Sequence, residues 1–223
     1  VRSAAPSVMV VYGPLAGDSA LNKTDDGSGA AVRLSPPIPF GGQRFDSYFS
    51  STNGLVSFGA PHSSPDSGAV FSRLPKDTRI AALIWTDLDV TRGGDIFHRV
   101  VADGSGLRRL ATAIEFAGGA AVTARFTPQA ALVYTVVNAT IALAAEGSPA
   151  RCTGQLVILW SDAEAAIFLR YSQVFLSPGQ PARAGYHAHG ASFSEIPVSG
   201  LTSWKWVDHG VFSLTVDQTP PKE

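Results

Sequence analysis

One stretch decides the fold of this chain: Ser51-Thr52-Asn53-Gly54-Leu55-Val56-Ser57-Phe58-Gly59. Asn53-Gly54 is a strong turn signal, because both residues tolerate a positive φ angle. An apolar strand, residues 55–58, follows the turn and stops at Gly59. A second strand, residues 80–85, is apolar on both faces and is therefore predicted to be buried. We expect the two strands to be neighbours in the core, with the aspartates of residues 86–89 emerging at one end.

The composition indicates one all-β domain, residues 1–218, followed by a linker or tail at residues 219–223. The chain has 223 residues, enough to bury a substantial core. Charged residues make up 16% of it, and the net charge of −1 comes without the basic stripe that nucleic acid binding needs. No apolar run approaches the roughly 20 residues of a membrane span. No signal peptide is visible at Val1, which fits a mature form, an excised segment or a cytosolic protein.

Short apolar runs separated by Gly, Pro, Asp and Ser recur along the chain, a pattern typical of sandwiches and closed β-structures. The first predicted strand spans residues 8–12, and residues 92–95 are predicted as a hairpin turn into the strand that follows. Residues 36–42 are rich in proline and glycine, so they are expected to be extended but not central in a sheet. The predicted fold is all-β and β-sandwich-like.

One short packed α-helix is predicted at about residues 103–116. Asp103 or Ser105 can cap its first turn through a side-chain oxygen. Its apolar residues recur at helical spacing, so one face of the helix is expected to pack on the sheet. These residues are Leu107, Leu110, Ala111 and Ile114.

Aspartates on predicted loops form the candidate metal site. Ca²⁺ takes six to eight oxygen ligands at about 2.3–2.6 Å, commonly from loop carboxylates. Asp87 and Asp89 are two residues apart, so on an extended chain both point the same way, and Asp25 and Asp26 supply a second arm. The alternative is that these aspartates bond to the backbone of their own turns. Two further loop aspartates complete the acidic set: Asp18 and Asp95.

Other residues carry weaker signals for chemistry. His187 and His189 are spaced to project from one face of a strand, which could hold Zn²⁺, but hydrogen-bonded or surface histidines are the favoured interpretation. Trp204 and Trp206 alternate with a lysine, so both rings lie on one face, either in the core or on a platform for a partner. No G-x-S-x-G nucleophile motif is present, and the chain is not predicted to be an enzyme.

Cys152 is the single cysteine. A lone cysteine is most often a small buried hydrophobic residue. Its position beside an arginine in a Gly/Ser/Pro-bearing stretch also allows exposure, in which case it would form a disulfide with another chain. Two glycosylation sequons begin at Asn22 and Asn138. Asn22 lies in a polar turn and is the better candidate, whereas Asn138 needs an outward side chain on a predicted strand.

The order of these motifs resembles the nidogen-like (NIDO) domain family, as found in nidogen, alpha-tectorin and membrane mucins. The stretches that carry the resemblance are Tyr12-Gly13-Pro14-Leu15-Ala16-Gly17-Asp18, Asp25-Asp26-Gly27-Ser28, Ile38-Pro39-Phe40-Gly41, Thr52-Asn53-Gly54-Leu55-Val56-Ser57-Phe58, residues 80–89, Gly93-Gly94-Asp95-Ile96-Phe97-His98-Arg99, Leu107-Arg108-Arg109-Leu110-Ala111-Thr112 and Arg183-Ala184-Gly185-Tyr186. The resemblance thins between residues 137 and 153, and the chain departs from the pattern after Gly190.

The resemblance implies a secreted or cell-surface module of a larger protein. It implies structural contacts with extracellular or matrix proteins, including self-assembly, and it carries over no catalytic residue. The expected function is therefore adhesion or assembly between cell and matrix or within the matrix. The alternative is a Ca²⁺-dependent carbohydrate-binding module, and no other cofactor is expected.

Overall fold

The structure, a computed structural model, describes residues 9–65, 71–114, 127–142, 150–176, 181–189, 192–196 and 207–215. Its elements in chain order are β1 (Ser19–Ala20), β2 (Val32–Phe40), β3 (Gln43–Ser50), β4 (Leu55–Phe58), β5 (Ile80–Trp85), β6 (Leu88–Asp89), β7 (Asp95–Val101), α1 (Gly104–Ile114), β8 (Ala130–Ile141), β9 (Arg151–Trp160), β10 (Glu164–Val174), β11 (Arg183–His189), β12 (Ser192–Ile196) and β13 (Val207–Thr215). Two short 3₁₀ turns lie at Pro14–Ala16 and Phe71–Arg73.

The strands form two antiparallel sheets, which confirms the predicted all-β, sandwich-like fold. The first sheet has the order β1-β7-β8-β9-β10-β13, with β6 also paired to β8. The second sheet has the order β12-β11-β5-β4-β3-β2. Edge strand β2 contains Pro36, Pro37 and Pro39, and this placement fits because proline cannot donate to a further strand.

The two central strands predicted from the deciding stretch are neighbours, as expected. Leu55 of β4 lies opposite Ala82 of β5. Every residue of both strands is buried, because each face of β5 has its own apolar cluster. Leu83 points into the core between the sheets, whereas Trp85 packs with Phe71 on the outer face. The segment with the aspartates follows directly after β5.

Polar tips of aromatic side chains join the two sheets across the apolar core. The Tyr171 hydroxyl donates to the carbonyl of Leu83 at 2.5 Å, and the Tyr134 hydroxyl donates to the carbonyl of Ser51 at 2.7 Å. Both tyrosines are fully buried, so each hydroxyl needs a partner, and these bonds also fix how one sheet lies on the other.

Helix α1 covers the outer face of the first sheet. Leu107, Leu110 and Ile114 pack in one cluster with apolar residues of β8, β9 and β10, as the helical spacing predicted. Asp103 caps the helix, since the N–H of Gly106 donates to its carboxylate at 2.7 Å. Within the part of the chain that is described, no helix is long and apolar enough to cross a membrane.

Two local predictions were wrong. Residues 9–12 do not form a strand, because the buried side chain of Gln155 takes both backbone groups of Val10, at 2.9 and 3.1 Å. The turn at residues 92–95 joins β6 to β7, yet these strands do not pair as a hairpin. Both pair with β8 instead, one after the other along its length.

Candidate functional site

Three of the four predicted calcium ligands meet at one end of the sandwich. Carboxylate oxygens of Asp25, Asp26 and Asp87 all lie within 4.8 Å of one another. Asp25 and Asp26 are exposed on the loop between β1 and β2, and Asp87 is half-buried on the segment between β5 and β6. We call these three residues the acidic corner.

The buried amide of Asn53 holds the loops of this corner together. Its Nδ2 donates to the Asp26 carboxylate at 2.6 Å and to the carbonyl of Ser63 at 2.7 Å. Its Oδ1 accepts a hydrogen bond from the N–H of Leu88 at 2.9 Å. Because Asn53 is fully buried, one neutral side chain fixes three loops that lie far apart in sequence.

Gly54 allows this arrangement by its backbone alone. Its φ angle is +77°, and its carbonyl accepts hydrogen bonds from the N–H groups of Leu83 and Ile84, at 3.0 and 3.1 Å. A Cβ atom at this position would lie 2.0 Å from the carbonyl oxygen of Ile84. Only glycine fits so close to β5 at this φ angle.

The acidic corner is crowded with negative charge. Burial raises the pKa of Asp87, and the neighbouring charges of Asp26, Asp25 and Asp89 raise it further. The pKa of Asp25 is also raised, first by burial and then by the charges of Asp89 and Asp26. A bound cation would relieve this repulsion, and clustered carboxylates are the donors that Ca²⁺ prefers.

Asp89 lies near this charge but has a different local role. Its carboxylate accepts from the N–H of Thr91 at 2.9 Å and from the Thr91 hydroxyl at 2.5 Å. This is the self-bonded turn that the sequence offered as the alternative to metal binding. The regular two-residue spacing of Asp87 and Asp89 therefore does not bring both into one cluster.

The remaining loop aspartates form ion pairs elsewhere. Asp18, whose side chain has no solvent exposure, lies 2.5 Å from the guanidinium of Arg99. Asp95 lies 2.8 Å from Lys23 at the surface. Neither joins the acidic corner.

His187 and His98 each have a hydrogen-bond partner of their own, as the favoured interpretation expected, and the side chain of His189 lies outside the described residues. His187 is fully buried, and its Nδ1 donates to the carbonyl of Thr78 at 2.6 Å. His98 Nδ1 lies 2.7 Å from the Tyr48 hydroxyl. A register shift between His187 and His189 interrupts the alternation on which the zinc hypothesis depended. Among the residues that the structure describes, the one group with metal-site geometry is the acidic corner.

Cys152 is buried in the core, which agrees with the usual role of a lone cysteine and not with the exposed alternative. It lies on central strand β9, opposite Ala139 on one side and Val174 on the other. Burial raises the pKa of its thiol to about 12. A disulfide to another chain would require this residue to leave the core, whereas a small buried hydrophobic residue, the alternative from sequence, fits the position.

Both sequon asparagines are exposed, so each can carry the glycan that remains a prediction. Asn22 lies in the loop after β1. Asn138 points outward at an irregularity of β8, where its φ angle is +48° and the register shifts between Val136 and Ala139. Trp204 and Trp206 lie outside the described residues.

The sequence had given Asn53 a role only in the turn. Its three side-chain partners lie 10 to 35 residues away, and no local sequence pattern predicts contacts over such separations. A buried asparagine beside a glycine in an apolar stretch was the available signal, because a buried polar side chain needs partners.

Two packed antiparallel sheets with polar clusters on the loops define this protein as a β-sandwich module. A family model described as "Nidogen-like domain" matches residues 46–215. The chain belongs to this family, which confirms the resemblance seen in its motifs. Nidogen-like domains are non-catalytic structural modules that occur in larger extracellular proteins.

One curated relative is Dendrite extension defective protein 1 of Caenorhabditis elegans. The two sequences are 36% identical over 98 residues, which is 44% of this chain. The matched part is 8% of the length of that relative. No solved structure matches the chain significantly.

Proposed function

We propose that this chain is an extracellular module that makes adhesive or assembly contacts with other proteins of the matrix or cell surface. Membership of the nidogen-like family carries the proposal, through the match over residues 46–215. The architecture supports it, because a rigid sandwich presents its loops in fixed positions for recognition. Exposed sequons at Asn22 and Asn138 fit a secreted protein.

The direct test is binding of the purified chain to an immobilised extract of extracellular matrix, followed by cross-linking to identify the bound protein. The expected result is saturable binding that survives both EDTA and enzymatic removal of glycans from the extract. Absence of saturable binding to matrix extract and to cell surfaces would contradict the proposal.

The acidic corner favours a second candidate function, a Ca²⁺-dependent carbohydrate-binding module. Its three carboxylates supply part of the oxygen set that Ca²⁺ needs, and their mutual repulsion gives a cation a favourable place. Calorimetry with Ca²⁺ tests this with Asp87→Asn, and with Asp46→Asn as a control on an exposed strand residue. Heat in the wild type and the control, lost in Asp87→Asn, together with glycan binding that EDTA abolishes, would support it. No heat and no gain in melting temperature would exclude it.

A further inference from the structure

A groove runs between residues 9–17 and helix α1, with a cavity volume of about 700 Å³. Its walls are part apolar and part polar. Apolar residues on its lining include Val10, Val11, Leu15, Val100 and Leu110. A groove of this size and character fits side chains of a protein partner. We call it the α1 groove.

Beside the groove, an ordered turn displays a leucine to solvent. Leu15 is fully exposed and Val11 is 74% exposed. Within the described residues, the large apolar side chains left exposed all belong to this short segment, with Tyr12 as the third. Such a concentration is atypical of a free surface and marks an interaction site.

The turn is held in place by a buried ion pair. The N–H of Gly13 donates to the Asp18 carboxylate at 2.5 Å, and the same carboxylate pairs with Arg99 of β7. The N–H of Gly17 donates to the carbonyl of Pro14 at 3.0 Å, which closes the turn around Leu15. The backbone at Leu15 is therefore held in place, so little backbone entropy is lost when the leucine is bound.

The rim of the groove carries one group of each charge. Asp103 and Arg109 both line it, and both are exposed. The Asp103 carboxylate accepts hydrogen bonds from Ser105 and Gly106 at the start of the helix and is exposed to solvent. Arg109 forms no ion pair with any described residue. This surface therefore combines an exposed leucine, a groove, a carboxylate from Asp103 and a guanidinium from Arg109.

We propose that the α1 groove binds a second copy of this chain around a two-fold axis. Leu15 of each copy enters the groove of the other, and Arg109 of each copy pairs with Asp103 of the other. A two-fold interface uses the same patch on both partners, so the patch must complement itself in shape and in charge. This inference rests on the proposed function, because it names the surface that makes an assembly contact.

Sedimentation equilibrium of the 223-residue chain tests the proposal. The wild type is expected to dimerise reversibly at micromolar concentrations. Leu15→Asp removes a buried leucine from both copies, so it should weaken dimerisation by about a hundredfold to ten-thousandfold. Arg109→Glu should weaken it as well. Arg108→Glu is the matched control, since Arg108 is equally exposed on the same helix but does not line the groove. It should leave the dimer unchanged.

Mixing two variants tests the charge pairs themselves. Arg109→Glu and Asp103→Lys should each dimerise weakly alone. Their mixture restores both pairs, one in the native sense and one with its charges reversed, so it should form heterodimers. Circular dichroism of each variant checks that α1 survives the loss of its cap. A monomeric wild type, or equal weakening by Arg108→Glu, would overturn the proposal. Neither outcome affects binding of the monomer to matrix protein, so the proposed function is tested separately.

Discussion

The acidic corner and the α1 groove lie at opposite ends of strand β8 and are built differently. Leu88, next to the acidic corner, pairs with Ile141 at one end of the strand. Val101, in the wall of the groove, pairs with Ala131 near the other end. At the first end a neutral buried asparagine holds loops that expose carboxylates. At the second, a buried ion pair holds a turn that exposes apolar side chains.

This difference separates two roles that a loop residue can have. Asn53 and Asp18 are buried and set the shape of their loops, whereas the residues around them decide what the surface can bind. Changes at the buried anchors should therefore alter stability. Changes at exposed residues such as Leu15 should alter binding and leave folding intact.

The largest expected effect concerns Gly54. Gly54→Ala places a Cβ atom 2.0 Å from a backbone oxygen of β5, which no side-chain rotation can relieve. We expect a loss of about 4 kcal/mol in the free energy of unfolding, or failure to fold, measured by urea denaturation. Gly42→Ala is the matched control, because its φ angle of +75° is nearly the same but nothing lies within 4 Å. That variant should lose only about 1 kcal/mol, and an equal loss in both would show that the contact with β5 does not matter.

Removal of the amide at the acidic corner should come next. Asn53→Ala leaves the N–H of Leu88 without its partner and opens a small cavity, so we expect a loss of about 3 kcal/mol. Asn53→Asp keeps the size but turns an acceptor toward Asp26, 2.6 Å away in the native pair. Its loss should be largest at neutral pH and partly recovered near about pH 4, where carboxylates become protonated. An Asn53→Ala variant as stable as the wild type would refute the role of this residue.

The ion pair at the groove end should contribute less, because Arg99 is 14% exposed and can regain water. Asp18→Ala is expected to cost about 2 kcal/mol in unfolding free energy. Asp95→Ala removes the exposed pair with Lys23 and should change stability by less than about 0.5 kcal/mol. If the two variants lose the same amount, the Asp18 pair does not anchor the turn.

The smallest effect is the response of the acidic corner to pH. Because the pKa of Asp87 is raised in the folded protein, the folded state holds its proton more tightly than the unfolded chain does. Protonation of Asp87 therefore stabilises the folded state fully below the ordinary carboxyl pKa of 3.8. This stabilisation is lost as the pH rises through the raised pKa. Asp87→Asn should therefore melt at a higher temperature than the wild type at neutral pH. A variant that melts lower would mean that the charge of Asp87 is stabilising.

The sequence was informative where the deciding contacts are local. The Asn53-Gly54 turn, the cap at Asp103 and the apolar face of α1 all depend on neighbouring residues. The pairing of β4 with β5 joins more distant residues, but both strands are visible as short apolar runs. It was misleading for residues 9–12. There the backbone bonds to the side-chain amide of Gln155, 145 positions away along the chain, and not to a neighbouring strand.

The candidate site was only partly predictable for the same reason. Clustered aspartates are visible in sequence, but Asp18 and Asp89 have partners that depend on the folded loops. The fully exposed Leu15 could not be recognised, because a leucine in a turn motif looks the same whether its side chain is packed or displayed.

The most direct test of the contrast between the two ends is hydrogen exchange of the wild-type chain at low and high concentration, read by mass spectrometry. Concentrating the protein is expected to slow exchange at residues 9–17 and 99–113, around the α1 groove. Exchange at residues 25–28 and 86–89, around the acidic corner, should not change. Protection that appears at the acidic corner, or at neither end, would show that copies of the chain do not meet at the α1 groove.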